Sequence, residues 1–219
     1  MAMRFRPADL SSRVFLADPT THYDEIDWDN FDAVLDGYKR RIEQWYIAPT
    51  RLLAKEHNFG FAVLTMACLL IDTLSQYEAG AEESSRKIFK KFVRRRLKGF
   101  KKTIDPIGHV KDRADALWDG FRCGILHEAH LKLYCGVQPN APDPIQVVEG
   151  QTELSDGTPC VTVVLDPMAL FAQVEGAFHD LIADLRKKSN KKLRERFKRK
   201  FEASFGVKIR LPEDQVDEA

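Results

Sequence analysis

The sequence predicts a mainly α protein, a helical bundle that carries a small three-stranded antiparallel β-meander and ends in further helices. Three observations lead there. Apolar residues recur at steps of three and four over most of the chain, the period of a helix with one buried face. Residues 131–166 break that rhythm with short runs of Val, Ile, Leu and Tyr, set between Pro, Asn and Ser-Asp-Gly punctuation. Finally, 44% of the 219 residues are hydrophobic, fourteen of them Phe, which is ample apolar surface to offset chain entropy.

In chain order, residues 1–21 lack periodicity and read as an irregular arm; the bundle follows over 22–130. Phe31, Val34, Leu35, Tyr38, Ile42 and Trp45 form one helical face after Asp27–Asn30, and Pro49 breaks or kinks that helix. Gly60–Tyr77 is apolar almost all round, which marks a central buried helix. Its polar exceptions, Thr65, Asp72 and Gln76, share one stripe and must be paired or line a cavity. Ser84 and Ser85 open the next helix, with Ile88, Phe89, Phe92, Val93 and Leu97 inward, and Gly99, Pro106 and Gly108 end it. Val110 to about His130 is predicted as one helix with Ala114, Leu117, Trp118, Phe121 and Ile125 on its core side. The meander (131–166) has strands near 131–137, 145–148 and 160–165. Asp166 caps the helix that Pro167 begins, and Leu193, Phe197 and Phe201 at steps of four mark a last one, so that 167–210 packs as C-terminal helices on the bundle. The acidic tail, 211–219, is expected to fray.

The net charge of +1 conceals a strong polarity. Residues 86–102 hold ten Lys or Arg and no acid; residues 186–200 hold ten and only Glu195. Such blocks hold a polyanion through phosphate contacts and counterion release, or are solvated helix faces. Arg86, Lys90, Arg94, Arg95, Lys191, Arg194 and Lys198 are the candidate contacts to such a polyanion, which the resemblance described below makes RNA. Cys68, Cys123, Cys135 and Cys160 are scattered without a CxxC pair, as free thiols of a reducing compartment are. The start, Met-Ala-Met-Arg-Phe-Arg-Pro, has no apolar core of a signal peptide, and the apolar run Phe59–Ile71 is shorter than a bilayer span of about 20 residues. A cytoplasmic location without membrane association is expected. No GxGxxG, Walker A loop or GxSxG elbow occurs.

One segment is chemically pointed: Phe121-Arg122-Cys123-Gly124-Ile125-Leu126-His127-Glu128-Ala129-His130. Its Arg-x4-His, near the end of a late helix in a helical bundle, resembles the Arg-x4-6-His motif of the HEPN superfamily. The resemblance covers about Asp29–His130 as fold, and Arg122–His127 as motif. It implies metal-independent RNA cleavage without a cofactor, in a homodimer whose two motifs share a cleft, and service in toxin or defence systems with a neutralising protein partner. It also implies the two catalytic residues, His127 as acid/base and Arg122 as phosphate stabiliser. The residue types suit that chemistry. An imidazole with pKa near 6.5 can take or return a proton at neutral pH, and a guanidinium can stabilise the charge gathering on a pentacoordinate phosphorus. Attack by the 2′-hydroxyl selects RNA over DNA. Cys123, Glu128, His130 and Asp72 are candidate accessory residues.

Three other readings stay open on the residues. Active family members commonly carry Asn, Asp or His after the Arg, where Cys123 stands here, so a non-catalytic module that binds RNA or a partner protein is an alternative. Arg122 can pair with Asp119 one turn back, leaving His127 an ordinary histidine near a helix C-terminus. Cys123, His127 and His130, with Cys135 following, can form a zinc-stabilised structural site. Helix geometry also bears on the motif. Residues five apart on an ideal α-helix diverge by about 140°, so Arg122 and His127 need a distortion, with Gly124 the place for it, or a second subunit.

Overall fold

The computed structural model describes residues 26–211, apart from 142, 154–156 and 158; the predicted N-terminal arm and all but the first residue of the tail lie outside these. The chain is mainly helical and divides into two compact units, each assembled from separate stretches: 1–49, 76–83 and 179–219 in the first, 50–75 and 84–178 in the second.

In the first unit, α1 (Phe31–Ile42) starts at Asn30, whose side chain accepts from the backbone N–H of Asp32 and Ala33. The helix then widens into a π-turn, Glu43–Ile47, and continues as α2 (Ala48–Leu53). Pro49 therefore does not end the helix. The widening lets Ala48 N–H reach back to Glu43 O and spares the tight i−4 contact that a proline ring cannot make. Aromatic rings form the core. Phe197 on α7 (Lys191–Phe205) packs against Tyr38, Tyr77, Phe201 and Phe31 at centroid distances of 5.2, 5.3, 5.6 and 5.9 Å. Arg199 Nε donates to Gly80 O (2.9 Å) and Lys200 Nζ to Glu82 O (2.8 Å), so part of the C-terminal basic block is spent on the chain leaving α3 (Gly60–Ala79).

The helix α3 runs past the apolar stretch predicted from sequence and reaches 20 residues. By length and composition it could cross a bilayer, but 56% of its most apolar window is buried inside the protein, as in a core helix. Its polar stripe is paired: Thr65 Oγ1 donates to Phe61 O (2.8 Å), and Asp72 accepts from Ser84.

The second unit holds the β-structure, and here three expectations are corrected. First, the predicted helix from Val110 begins only at Arg113, because Thr103–Ile107 (β1) and Val110–Asp112 (β2) form an antiparallel hairpin that was not foreseen. Gly108, at φ +57°, supplies the left-handed turn between them. Pro106 thus lies within β1 and Gly108 in the turn after it, and neither closes a helix. Second, the three-stranded sheet is mixed, not an antiparallel meander. β5 (Pro159–Leu165) lies between β3 (Cys135–Val137) and β4 (Ile145–Glu153), antiparallel to β4 and parallel to β3. The most apolar strand, with Val161, Val163 and Leu165 buried, takes the centre, where both its edges are paired. Third, the strand expected from Leu131 starts only at Cys135, because 131–134 lie against the preceding helix. Asp166 then caps α6 (Pro167–Arg186), its Oδ1 accepting from the N–H of Met168 (2.8 Å) and Ala169 (3.2 Å).

Basic residues of α4 (Arg86–Arg96) also help to hold this unit. Arg86 Nε donates to Asp115 Oδ1 (3.0 Å), Lys90 pairs with the same carboxylate, and Arg94 pairs with Asp112. Burial pushes the Asp115 carboxyl up, but the hydrogen bonds from Lys90 and Arg86 outweigh it and hold the group below its usual range. The stabilisation is then complete above the ordinary carboxylate pKa of about 3.9 and is lost as pH falls through the lower folded-state value. Asp115→Asn is expected to lower the melting temperature at pH 7 and to flatten its fall below about pH 4; melting followed by circular dichroism across that range checks both.

Candidate active site

The motif helix starts at Asp112, whose Oδ1 accepts from Asp115 N–H (2.9 Å), and runs as α5 (Arg113–Ala116) into a π-helical segment, Leu117–Glu128. This winding settles the geometric difficulty of the motif. With i→i+5 hydrogen bonds, residue i+5 lies about one turn on, so Arg122 and His127 stack where an α-helix would splay them. Arg122 Nη1 is 3.1 Å from His127 Nε2. The motif spacing was readable in the sequence; the π-winding that unites its two residues was not.

The end of the segment depends on close backbone approach. Ala129 turns left-handed at φ +55°, its N–H bonding Ile125 O (3.2 Å), and His130 N–H bonds Gly124 O (3.4 Å). The chain then passes back over the helix, Lys132 N–H bonding Gly120 O at 3.1 Å. A Cβ at position 124 would sit 2.5 Å from His130 O, and one at 120 would strike Cys135 Sγ. Gly124 is therefore needed for the return of the chain. Gly124→Ala is expected to cost about 1–3 kcal/mol despite the better helix propensity of Ala, because the obstacle is backbone; urea unfolding measures it.

Arg122 is held on three sides. Nη2 donates to Asp72 Oδ2 (3.3 Å), Nη1 meets His127, and the guanidinium lies 4.5 Å from the Trp118 ring centroid. Nε is buried without a partner among the described residues. The side chains of Arg122 and Asp72 are 13% and 16% exposed, whereas His127 is open to solvent. Because a guanidinium has only protons to give, the contact is an N–H donating to a bare Nε2. The Nε2 lone pair that accepts it belongs to an exposed side chain. Asp72 comes from α3, fifty residues upstream, and accepts in turn from Ser84 Oγ just before α4.

The other candidates fall in different places. Asp119 does not take Arg122; it accepts from Tyr134 Oη (2.7 Å) and meets His109 Nε2 (3.0 Å). His109 and Tyr134 were not singled out from sequence, and nothing in their local pattern marks them. Burial pushes the Cys123 thiol up, partly offset by a hydrogen bond with Arg122. Cys123 is therefore a neutral neighbour of the guanidinium rather than a thiolate. Glu128 pairs with Lys132 and with His130 Nε2 (3.2 Å), while His130 Nδ1 is 2.8 Å from Leu131 O. Glu128, His130 and Lys132 thus form a small polar cluster at the helix end, and neither Glu128 nor His130 bonds Arg122 or His127. No group of three His, Cys, Asp or Glu side chains able to hold a metal occurs among the described residues, so the zinc reading finds no assembled donor set.

Of the candidate RNA contacts, Arg194 is corrected. Arg194 is 2% exposed, its guanidinium 4.3 Å from the Phe31 ring and Nη1 donating to Leu185 O (3.4 Å); it is a core residue. Arg86, Lys90 and Arg94 are taken up by Asp115 and Asp112. Arg95 and Lys191 are exposed and Lys198 is half-buried. Helix periodicity located the basic blocks, but which face of each was neutralised depended on acids distant in sequence.

No family model, curated protein or solved structure matches this chain.

Proposed function

We propose that the protein is a metal-independent endoribonuclease of the HEPN type, its bundle HEPN-like in fold. The observation that carries this reading is the contact between Arg122 Nη1 and His127 Nε2, a permanent cation beside a solvent-reachable base. As substrate binds, a phosphoryl oxygen takes over the Arg122 N–H that His127 Nε2 accepts, and the freed Nε2 lone pair takes the proton of the 2′-hydroxyl. The 2′-oxygen attacks phosphorus, Arg122 stabilises the charge on the phosphoryl oxygens, and the P–O5′ bond breaks to leave a 2′,3′-cyclic phosphate. The leaving 5′-oxygen takes its proton from water, or from the second His127 of a homodimer with a shared cleft. Asp72 positions Arg122 in place of the polar residue that Cys123 replaces in the motif. A role in toxin or defence systems, in the cytoplasm and with a neutralising protein partner, belongs to the same proposal.

The test is incubation of the purified protein with mixed RNA in EDTA, beside Arg122→Ala and His127→Ala. Cleavage to cyclic-phosphate ends that both variants lose supports the reading; cleavage that survives in either, or that EDTA abolishes, refutes it.

A second reading, a non-catalytic module that binds RNA, is favoured by one feature. The Asp72 carboxylate already occupies the donor that a phosphate would take. Binding without cleavage by the wild type supports it.

A further inference from the structure

The positive charge of α4 separates into two stripes. Arg86, Lys90 and Arg94 face the acids of the motif helix. Lys87, Lys91 and Arg95 face solvent, four residues and thus about 6 Å apart along the axis. Exposed Lys98, Lys101 and Lys102 continue the run past the helix end. Among the described residues Lys87, Lys91 and Lys98 have no ion-pair partner, and no acid occurs between 86 and 102. In the other basic block Lys188, Lys191 and Lys192 are also exposed, but Arg194 is buried, Arg199 and Lys200 bond backbone carbonyls and Lys187 pairs with Asp184 (2.8 Å).

The start of α4 lies beside the candidate site. Ser84, two residues before α4, bonds Asp72, and Asp72 bonds Arg122. Phe89 packs on Trp118 at 5.1 Å, and Trp118 lies under the Arg122 guanidinium. The first turn of α4 is thereby tied to the Arg122–His127 pair, and the stripe runs from Lys87 along the outer face of the same helix.

We infer that Lys87, Lys91, Arg95 and Lys98 form the track along which the phosphates of a single-stranded RNA run to the Arg122–His127 site. This rests on reading that site as RNA-directed. A line of exposed cations leading to a reactive centre is how a protein holds a flexible strand without reading its sequence.

The experiment measures binding of a fluorescein-labelled 20-nucleotide oligouridylate by anisotropy from 50 to 300 mM salt. It compares the wild type, Lys87→Gln/Lys91→Gln/Lys98→Gln, and a control with exposed Lys55→Gln/Lys111→Gln, with cleavage of the same RNA recorded alongside. Each lost phosphate contact on a single strand reduces the log–log salt slope by about 0.7, so the triple variant is expected to be shallower by about 2 and the control unchanged. Circular dichroism confirms that the variants fold. A slope preserved in the triple variant, while the wild type cuts RNA and Arg122→Ala does not, overturns the track and leaves the nuclease reading standing. A slope lost in the triple variant, with no cleavage by the wild type, supports the track and overturns the nuclease. A wild type that ignores the oligonucleotide, including one that binds only vesicles of anionic lipid, overturns the track.

Discussion

His127→Ala is expected to lower RNA cleavage by about 10²–10⁴-fold, the range that positioned general acid–base groups contribute. The imidazole is exposed and carries no packing, so the variant should melt with the wild type; the loss then belongs to chemistry. Arg122→Lys is the companion test and should lose at least about 100-fold. The guanidinium bonds Asp72 and His127 from two nitrogens while its face rests on Trp118. A lysine ammonium is a point charge and cannot hold this geometry, although it keeps the net charge. Single-turnover rates on an RNA of defined sequence measure both. A lysine variant of wild-type rate would mean that charge alone suffices and that the planar fork is incidental.

Phe197→Ala is expected to destabilise the protein by about 3–5 kcal/mol. The ring is fully buried and touches Phe31, Tyr38, Tyr77 and Phe201. Its removal therefore leaves a cavity bounded by large aromatic groups that cannot collapse without giving up their own contacts. Phe61→Ala is the matched control. Phe61 is 41% exposed and should cost a fraction of that amount. Urea unfolding of both variants measures the difference, and equal costs would show that the aromatic cluster is not the centre of that unit.

Much was legible before any coordinates. Local periodicity placed Phe31 to Ile42, the apolar Gly60 helix, the basic helix after Ser85 and the Leu193-Phe197-Phe201 face, because a helix buries one face whatever it packs against. Cap chemistry at Asn30, Ser85 and Asp166 was equally local. The hairpin at 103–112 escaped, since Thr103–Asp112 mixes charged residues with Pro and Gly and shows no alternating run. The order of the mixed sheet escaped too, because strand position is chosen by competition for the centre and not by chain order.

For the site, the residue types and their spacing are legible in the chain: a cation at 122, an imidazole at 127, glycines at 120 and 124, a carboxylate at 72 on a buried helix. Folding adds the rest: the helix winds with i→i+5 bonds under the returning chain, Asp72 reaches Arg122, and Asp112 and Asp115 neutralise one side of α4 and leave the other to solvent. The physical reason is the range of the interactions. Periodicity and capping act within one turn, whereas ion pairs and close backbone approaches join residues that only the folded chain brings together.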